Sequence, residues 1–410
     1  MRKKQITNNR IMKKQTAVKQ IAANQTAANQ TKKKKVKKKK EADFILIVLT
    51  IALVIFGIIM VFSASYYNSI NEYGTPYHYL IREMFWAGLG TVLMLVISRI
   101  DYRYYKAIAW PGIITSAVLL ALLFTPLGIT RNYATRWLGL GGFTVMPAEI
   151  AKIAIIVFVA YYFSSRPKRI NKMSTSLAPM FGITILFGGL IMLQPNMSTA
   201  VIIFGITMSM MLFAGAKWRY FIGTMVAGAI GAIILIFSDP DGYRLERVTS
   251  FIDPFADPLG TGYQVMQSLF AMGSGRVFGV GIGKSIQKNL HLPEAQNDFI
   301  LAVIAEELGF IGVMVLLICY LVLIWKGYEI AINAKEPFGT LVAAGITTML
   351  ALQVILNVLV VTSSMPPTGV TLPFISYGGN ALLLFMCSMG ILLNISKDTK
   401  KQVNGSEVLK

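Results

Sequence analysis

The chain has 410 residues, 55% of them hydrophobic and only 14% charged, and its mean hydropathy is +0.60. That composition excludes a disordered protein and an ordinary soluble domain. The net charge is +20, but residues 1–40 hold 15 of the 39 Lys and Arg and none of the 19 Asp and Glu, so the rest carries only +5. Basicity confined to one tail argues against nucleic acid as a partner, because recognition of nucleic acid needs cations spread over a folded face.

Cys319 and Cys387 both lie in apolar runs, and His78 and His291 are the two imidazoles. Neither a disulfide framework nor a Cys/His zinc site can be built from them.

Residues 1–41 are rich in Lys, Gln, Asn and Ala, and the runs Lys32 to Lys35 and Lys37 to Lys40 leave nothing to bury. The reading is a disordered basic cytoplasmic tail, placed where lysines can meet anionic membrane lipid. A bilayer core of about 30 Å needs about 20 apolar residues in a helix. That ruler predicts ten spans: Phe44 to Ser63, Met84 to Ser98, Ala109 to Phe124, Pro147 to Phe163, Ala178 to Leu193, Thr199 to Ala214, Tyr220 to Phe237, Phe299 to Trp325, Thr340 to Val361, and Phe374 to Ile395.

Charge tests the count. With the amino terminus inside, Arg99, Arg103, Lys106, Arg166, Lys168, Lys217, Lys326, Lys335 and Lys397 fall on inner connections, against Arg82, Arg131 and Arg136 on short outer ones. This is the positive-inside asymmetry, and it puts both termini in the cytoplasm of a plasma-membrane protein. The predicted fold class is all-α: a polytopic membrane domain over 42–396 with ten transmembrane helices, and a cytoplasmic tail over 397–410. The outer loop between helices 7 and 8, residues 238–298, is too long to be structureless, and Val265, Met266, Leu269 and Phe270 in it have the spacing of a short interfacial helix.

Two soluble-enzyme patterns nearly match and are set aside. Gly279-Val-Gly-Ile-Gly-Lys-Ser285 ends like a phosphate-binding loop, but its first glycine would fall at Phe278. Ser285 and Lys288 fit Ser-x-x-Lys without the accompanying Lys-Thr-Gly.

Charged groups at membrane depth mark sites or buried pairs. Glu149 and Lys152 stand at i and i+3, Gln353 and Asn357 at i and i+4, and Glu306 lies about 12 Å along the helix from Asp298, beside Glu307. Their plainer role is interhelical glue. Asp298 sits where the long loop meets the eighth span, at the level of lipid head groups. An Asp at the head of an apolar helix is also a favoured N-cap, and spacing alone favours capping.

The stretches Leu292-Pro-Glu-Ala-Gln-Asn-Asp-Phe-Ile300, Glu306-Glu-Leu-Gly309 and Pro367-Thr-Gly-Val-Thr-Leu-Pro-Phe-Ile-Ser-Tyr-Gly-Gly379 resemble the SEDS family of FtsW, RodA and SpoVE. So do Arg136-Trp137, Pro147-Ala-Glu149 with Lys152, Leu193-Gln-Pro195, Arg244 and Arg247, Asp253-Pro254, and Tyr263-Gln264 with Gln267-Ser268. The likeness runs over roughly 42–396. It implies a glycosyltransferase that polymerises lipid II into β-1,4 glycan strands at the outer face, with inversion and release of undecaprenyl pyrophosphate.

Carried over by motif, the essential aspartate is Asp298, the general base. Substrate contacts are implied at Arg136, Glu149, Lys152, Arg244, Arg247, Gln264, Gln267, Ser268, Glu306 and Ser376, with Arg136, Lys152, Arg244 and Arg247 facing the departing pyrophosphate. The resemblance leaves room for a divalent cation, Mg²⁺ or Mn²⁺, on the pyrophosphate, although no carboxylate cluster identifies a metal site. Implied partners are a class B penicillin-binding protein, the lipid-linked glycan strand and divisome membrane proteins.

Three departures stand out: Gln296-Asn297 before the aspartate in place of His-Thr, Met146-Pro-Ala-Glu149 in place of Gln-Pro-Ser-Glu, and Asn196 where an aspartate commonly follows Gln-Pro. The alternatives are a lipid II flippase, a scaffold that activates a penicillin-binding protein, and a RodA-like elongation enzyme in place of a septal one for division or sporulation.

Overall fold

The computed structural model describes residues 42–131, 134–140, 143–172, 177–237, 249, 251–256, 260, 262–289 and 291–399. The basic tail, residues 400–410, and Arg244 and Arg247 lie outside them. Helices occupy each of the ten apolar stretches: α1 (Phe44–Tyr73), α2 (His78–Ile97), α3 (Ala109–Leu122), α4 (Pro147–Ser164), α5 (Ala178–Met192), α6 (Met197–Phe213), α7 (Trp218–Phe237), α9 (Ile300–Asn333), α10 (Pro337–Val361) and α11 (Gly379–Ser396). An additional helix, α8 (Tyr263–Gly275), lies in the long connection between α7 and α9, at the spacing read from Val265 to Phe270.

The chain is a multi-pass membrane protein. By length and composition alone α1, α2, α4, α9, α10 and α11 can each cross a bilayer, and α3, α5 and α6 are apolar but shorter. At the centre stand α4 and α10, with 72% of their apolar windows buried, against 22% for α2 and α9. α10 packs on α4, α6, α9 and α11, while α2 rests mainly on α11 and α7 chiefly on α6.

Local chemistry sets several ends. Asp43 caps α1 by accepting from the Leu46 N–H at 3.2 Å, and Gly74 closes it in the left-handed region with φ 70°. Asn196 accepts from the Thr199 N–H at 3.3 Å and caps α6, so the residue standing where relatives carry aspartate is a helix cap. The Asp43 N–H donates to Ser396 Oγ at 3.1 Å, which puts the start of α1 and the end of α11 at one end of the bundle.

One element departs from an all-helical reading. Between α3 and α4 the chain forms a three-stranded antiparallel sheet, β1 (Gly128–Arg131), β2 (Ala134–Leu140) and β3 (Phe143–Val145), with Trp137 opposite Ile129 and Leu138 opposite Val145. Its strands are short and glycine-rich, so their alternation is faint beside the helical runs. Ala134 and Leu138 are buried, and the register against β1 slips between Ile129 and Thr130, which leaves Arg136 as the extra residue of a β-bulge in β2. Bulges re-aim side chains, and here Arg136 reaches the Pro195 carbonyl.

A candidate site at the start of α9

The segment before α9 is a series of turns, and the N-cap of the helix is Phe299, which makes no side-chain cap hydrogen bond. Asp298 lies one residue earlier, half-buried, so it is not the cap that spacing suggested. Its main chain is held from both sides. Asn357 Nδ2 on α10 donates to the Asp298 carbonyl at 2.8 Å and to the Val370 carbonyl at 2.7 Å. Two residues upstream, the Gln296 carbonyl accepts from the Tyr377 N–H at 2.9 Å and its side-chain oxygen accepts from Asn68 Nδ2 at 3.1 Å. The loop between α10 and α11 is thus stitched to the Asp298 segment at Val370 and at Tyr377. Burial pushes the Tyr377 phenol above its ordinary pKa, against the opposing pull of a hydrogen bond with Arg82.

Gly369 in this loop brings the functional groups together. A Cβ placed on it would stand 3.1 Å from Asp298 Oδ2 and 3.3 Å from Arg136 Nη1. The carboxylate and the guanidinium therefore flank one bare Cα, and a side chain there would crowd both by a few tenths of an ångström. Arg136 also donates through Nη2 to the Pro195 carbonyl at the α5–α6 corner. Pro195 in turn walls a cleft of 320 Å³ with Leu193, Gln194, Leu123, Phe124, Thr125, Gly128, and Thr130 and Thr135 of the β1–β2 hairpin. An ionised carboxylate can only accept hydrogen bonds, and a guanidinium can only donate them. Side by side, they can take a proton from a hydroxyl and stabilise an anion forming nearby. Among the described residues no three His, Cys, Asp or Glu side chains cluster. One carboxylate with a guanidinium across Gly369 does not fit a protein-held divalent cation, and no step is routed through one.

The other residues singled out in the sequence are placed differently. Lys152 Nζ pairs with Glu149 at 2.7 Å and donates to Gln353 at 2.6 Å, with the Phe385 ring 5.7 Å away. Both charged groups are buried, so this cluster ties α4 to α10 inside the bundle. The Glu306 carboxylate accepts from the Ser285 hydroxyl, from the Ile286 N–H at 2.8 Å and from the Gln287 N–H at 3.4 Å, and is committed to anchoring the loop that follows α8. Ser268, fully buried, donates to the Val361 carbonyl, Gln264 donates to the Pro293 carbonyl, and Ser376 accepts from the Leu372 N–H. Gln267 is half-buried on α8.

Next to Glu306 lies a network that sequence reading missed. Lys288 Nζ sits 2.7 Å from the Glu307 carboxylate and 3.0 Å from Ser63 Oγ, and Ser63 also donates to Glu307 at 2.7 Å. The glycine-rich stretch that imitates a phosphate loop explains how these groups reach one another. α9 breaks at Gly309, whose φ of 68° and ψ of −171° suit glycine, and the break frees carbonyls. The Val280 and Gly281 N–H groups donate to the Glu306 and Glu307 carbonyls at 2.9 and 3.0 Å, and the Phe310 and Ile311 N–H groups donate to Arg276 and Val277. Partners 19 to 244 positions apart leave no local signal; only the juxtaposition of Gly-x-Gly-x-Gly with Glu-Glu-Leu-Gly hinted at it.

The family model for FtsW, RodA and SpoVE, described as cell cycle protein, matches residues 43–401. The stage V sporulation protein E of Bacillus subtilis is 39% identical over 356 residues, 87% of this chain and 97% of that protein. A probable peptidoglycan glycosyltransferase FtsW of Geobacter sulfurreducens is 39% identical over 364 residues, 88% of this chain and 96% of its own. Among solved structures, a chain of a peptidoglycan synthase complex that coordinates polymerization and crosslinking superposes with a TM-score of 0.72 at 27% identity, covering 88% of this chain and 99% of that one. The rod shape determining protein RodA of Thermus thermophilus superposes with a TM-score of 0.65 at 25% identity, covering 88% and 98%.

Proposed function

Because the chain belongs to the FtsW, RodA and SpoVE family of cell cycle proteins, we propose that it is a peptidoglycan glycosyltransferase acting on lipid II, with Asp298 as its base. The observation that carries the site is the meeting of Asp298 Oδ2 and Arg136 Nη1 at Gly369, beside the cleft walled by Pro195. The acceptor sugar hydroxyl gives its proton to Asp298 as its oxygen attacks the anomeric carbon of the donor. The bond from that carbon to phosphate breaks from the opposite side, and undecaprenyl pyrophosphate leaves with the electron pair. One displacement inverts the α-linked donor to a β-1,4 bond, so no covalent enzyme intermediate is needed. Arg136 stands where it can offset the charge gathering on the leaving group.

Orientation follows from charge. The end of the bundle that holds Asp43 and Ser396 also holds Arg103, Lys106, Lys326, Lys335 and Lys397, and the positive-inside rule makes it cytoplasmic. Asp298 is at the opposite, external end. A class B penicillin-binding protein would then crosslink the strands made here, a reading supported by the match to a synthase complex, and septal use is favoured by the likeness to FtsW and SpoVE. Lipid transport finds less support, because Lys152 and Lys288 are paired with buried carboxylates and Glu306 is committed to the loop after α8.

The test is reconstitution of the purified chain in vesicles with lipid II. Strands made by the native protein and lost in Asp298→Asn, at unchanged melting temperature, support the proposal. Strands of unchanged yield in the variant would remove Asp298 from the mechanism, and lipid II crossing the bilayer without polymerising would favour transport.

A further inference from the structure

The segment Arg276–Lys288 wears its polarity inside out. Its polar side chains Ser285 and Lys288 point inward, onto Glu306 and onto Glu307 with Ser63, and both are 2% exposed. Its apolar side chains point away from the protein: Phe278 is 81% exposed, Ile286 65% and Ile282 59%. Its backbone is no loose tip, since Arg276, Val277, Val280 and Gly281 are bonded to the broken turn of α9 from Glu306 to Ile311. Phe310 and Ile311, on that turn, are exposed too and continue the same apolar surface.

The depth of this surface can be read from two helices. α1 and α9 are tied at one end by Asp43 and Lys326, 4.0 Å apart, and at the other by Ser63 and Glu307. Along the unbroken α1, Phe44 to Ser63 is 19 residue steps, about 28 Å of helix, against about 30 Å for a hydrocarbon core. Ser63 and Glu307 therefore mark the hydrocarbon boundary at the Asp298 end, and the segment docked beside them lies in that boundary layer. Exposed apolar groups there meet acyl chains. Arg276, ahead of Phe278, and Lys284, between Ile282 and Ile286, are exposed, and side chains of this length beside a hydrocarbon boundary reach lipid phosphates.

We infer that Arg276–Lys288 is a membrane hook: Phe278, Ile282 and Ile286 enter the acyl layer, and Arg276 and Lys284 hold phosphate groups of anionic bilayer lipids. The hook anchors the connection between α8 and α9 independently of any partner protein.

The test uses the full chain in nanodiscs of phosphatidylglycerol and phosphatidylcholine, without other proteins. Ile282→Trp adds a fluorophore, read as the difference from the native chain with its five tryptophans. The added emission should be quenched by lipids brominated on the acyl chain and spared by aqueous iodide. Brominated phosphatidylglycerol should quench it severalfold more than brominated phosphatidylcholine, and Arg276→Gln with Lys284→Gln should abolish that preference while leaving acyl quenching in place. Quenching by iodide in place of bromolipid overturns the hook, and would show a surface waiting in water for a protein. Equal quenching by the two brominated lipids in the Ile282→Trp chain with both cations intact overturns the phosphate contact.

Discussion

Asn357 and Asp298 are joined by a hydrogen bond of 2.8 Å from the Asn357 side-chain amide to the Asp298 carbonyl, and the same nitrogen holds Val370 at 2.7 Å. One buried amide thus sets the distance between the carboxylate segment and the loop that carries Gly369. Asn357→Ala leaves two carbonyls without their donor and should cost about 1–3 kcal/mol of stability. Polymerisation should fall further than stability does, because the base is no longer held. Thermal unfolding and strand yield, measured on the same sample, separate the two effects.

Gly369→Ala puts a methyl group into the gap between Asp298 Oδ2 and Arg136 Nη1. The contacts require the two groups to give by a few tenths of an ångström, less than the displacement of about 1 Å that can cost about 10²-fold. The expected outcome is a severalfold loss in turnover with lipid II at an almost unchanged melting temperature. Unaltered turnover would show that the two groups need not adjoin.

Lys288→Met strands the fully buried Glu307 with Ser63 as its remaining partner. Breaking a buried ion pair from one side costs about 3–5 kcal/mol. The double variant Lys288→Met/Glu307→Gln removes the orphaned charge and should recover most of the loss. Melting of the two variants in detergent checks the difference.

The opposite end of the bundle carries a pH-dependent tie. Glu336 accepts from Arg103 Nε at 2.6 Å and from Lys106 at 3.1 Å, and the Arg103 hydrogen bond holds its pKa below the ordinary value of 4.5. A lowered folded pKa means that this contribution is complete above the unfolded value and fades as the pH drops through the folded one. Melting temperature followed downward from pH 6 should decline below about pH 4.5, and Arg103→Met should flatten that part of the curve.

The helices were legible because most apolar runs are about as long as a bilayer is thick, with α3, α5 and α6 shorter, and lysines and arginines flank alternate ends. The β1–β2–β3 sheet was not, since Gly128, Gly139 and a four-residue strand give a period-two pattern too short to stand out. At the site, Asp298 could be picked out by position and motif, but its capping alternative could be removed only by seeing Phe299 in the cap. Gln353 and Asn357 were legible as glue between elements: Gln353 joins α10 to α4, while Asn357 joins α10 to the turn before α9 and to the loop before α11. What they bind could not be read, because Lys152 and Asp298 are brought to them by packing across many turns of chain. Gly369 stood inside the Pro367–Gly379 motif but could not be given a role from sequence: its meaning is the absence of a side chain beside two others.

The two ties between α1 and α9 are held a fixed distance apart by the unbroken turns of α1, about 28 Å. A membrane of another thickness must either deform its lipids or tilt these helices, and each ångström of mismatch has an energetic cost. Because Asp298 lies only nine residues before Glu307, just ahead of the first turn of α9, tilt would be felt at the reacting carboxylate. Wall synthesis by this chain should therefore depend on acyl-chain length, with an optimum where the lipid matches the protein.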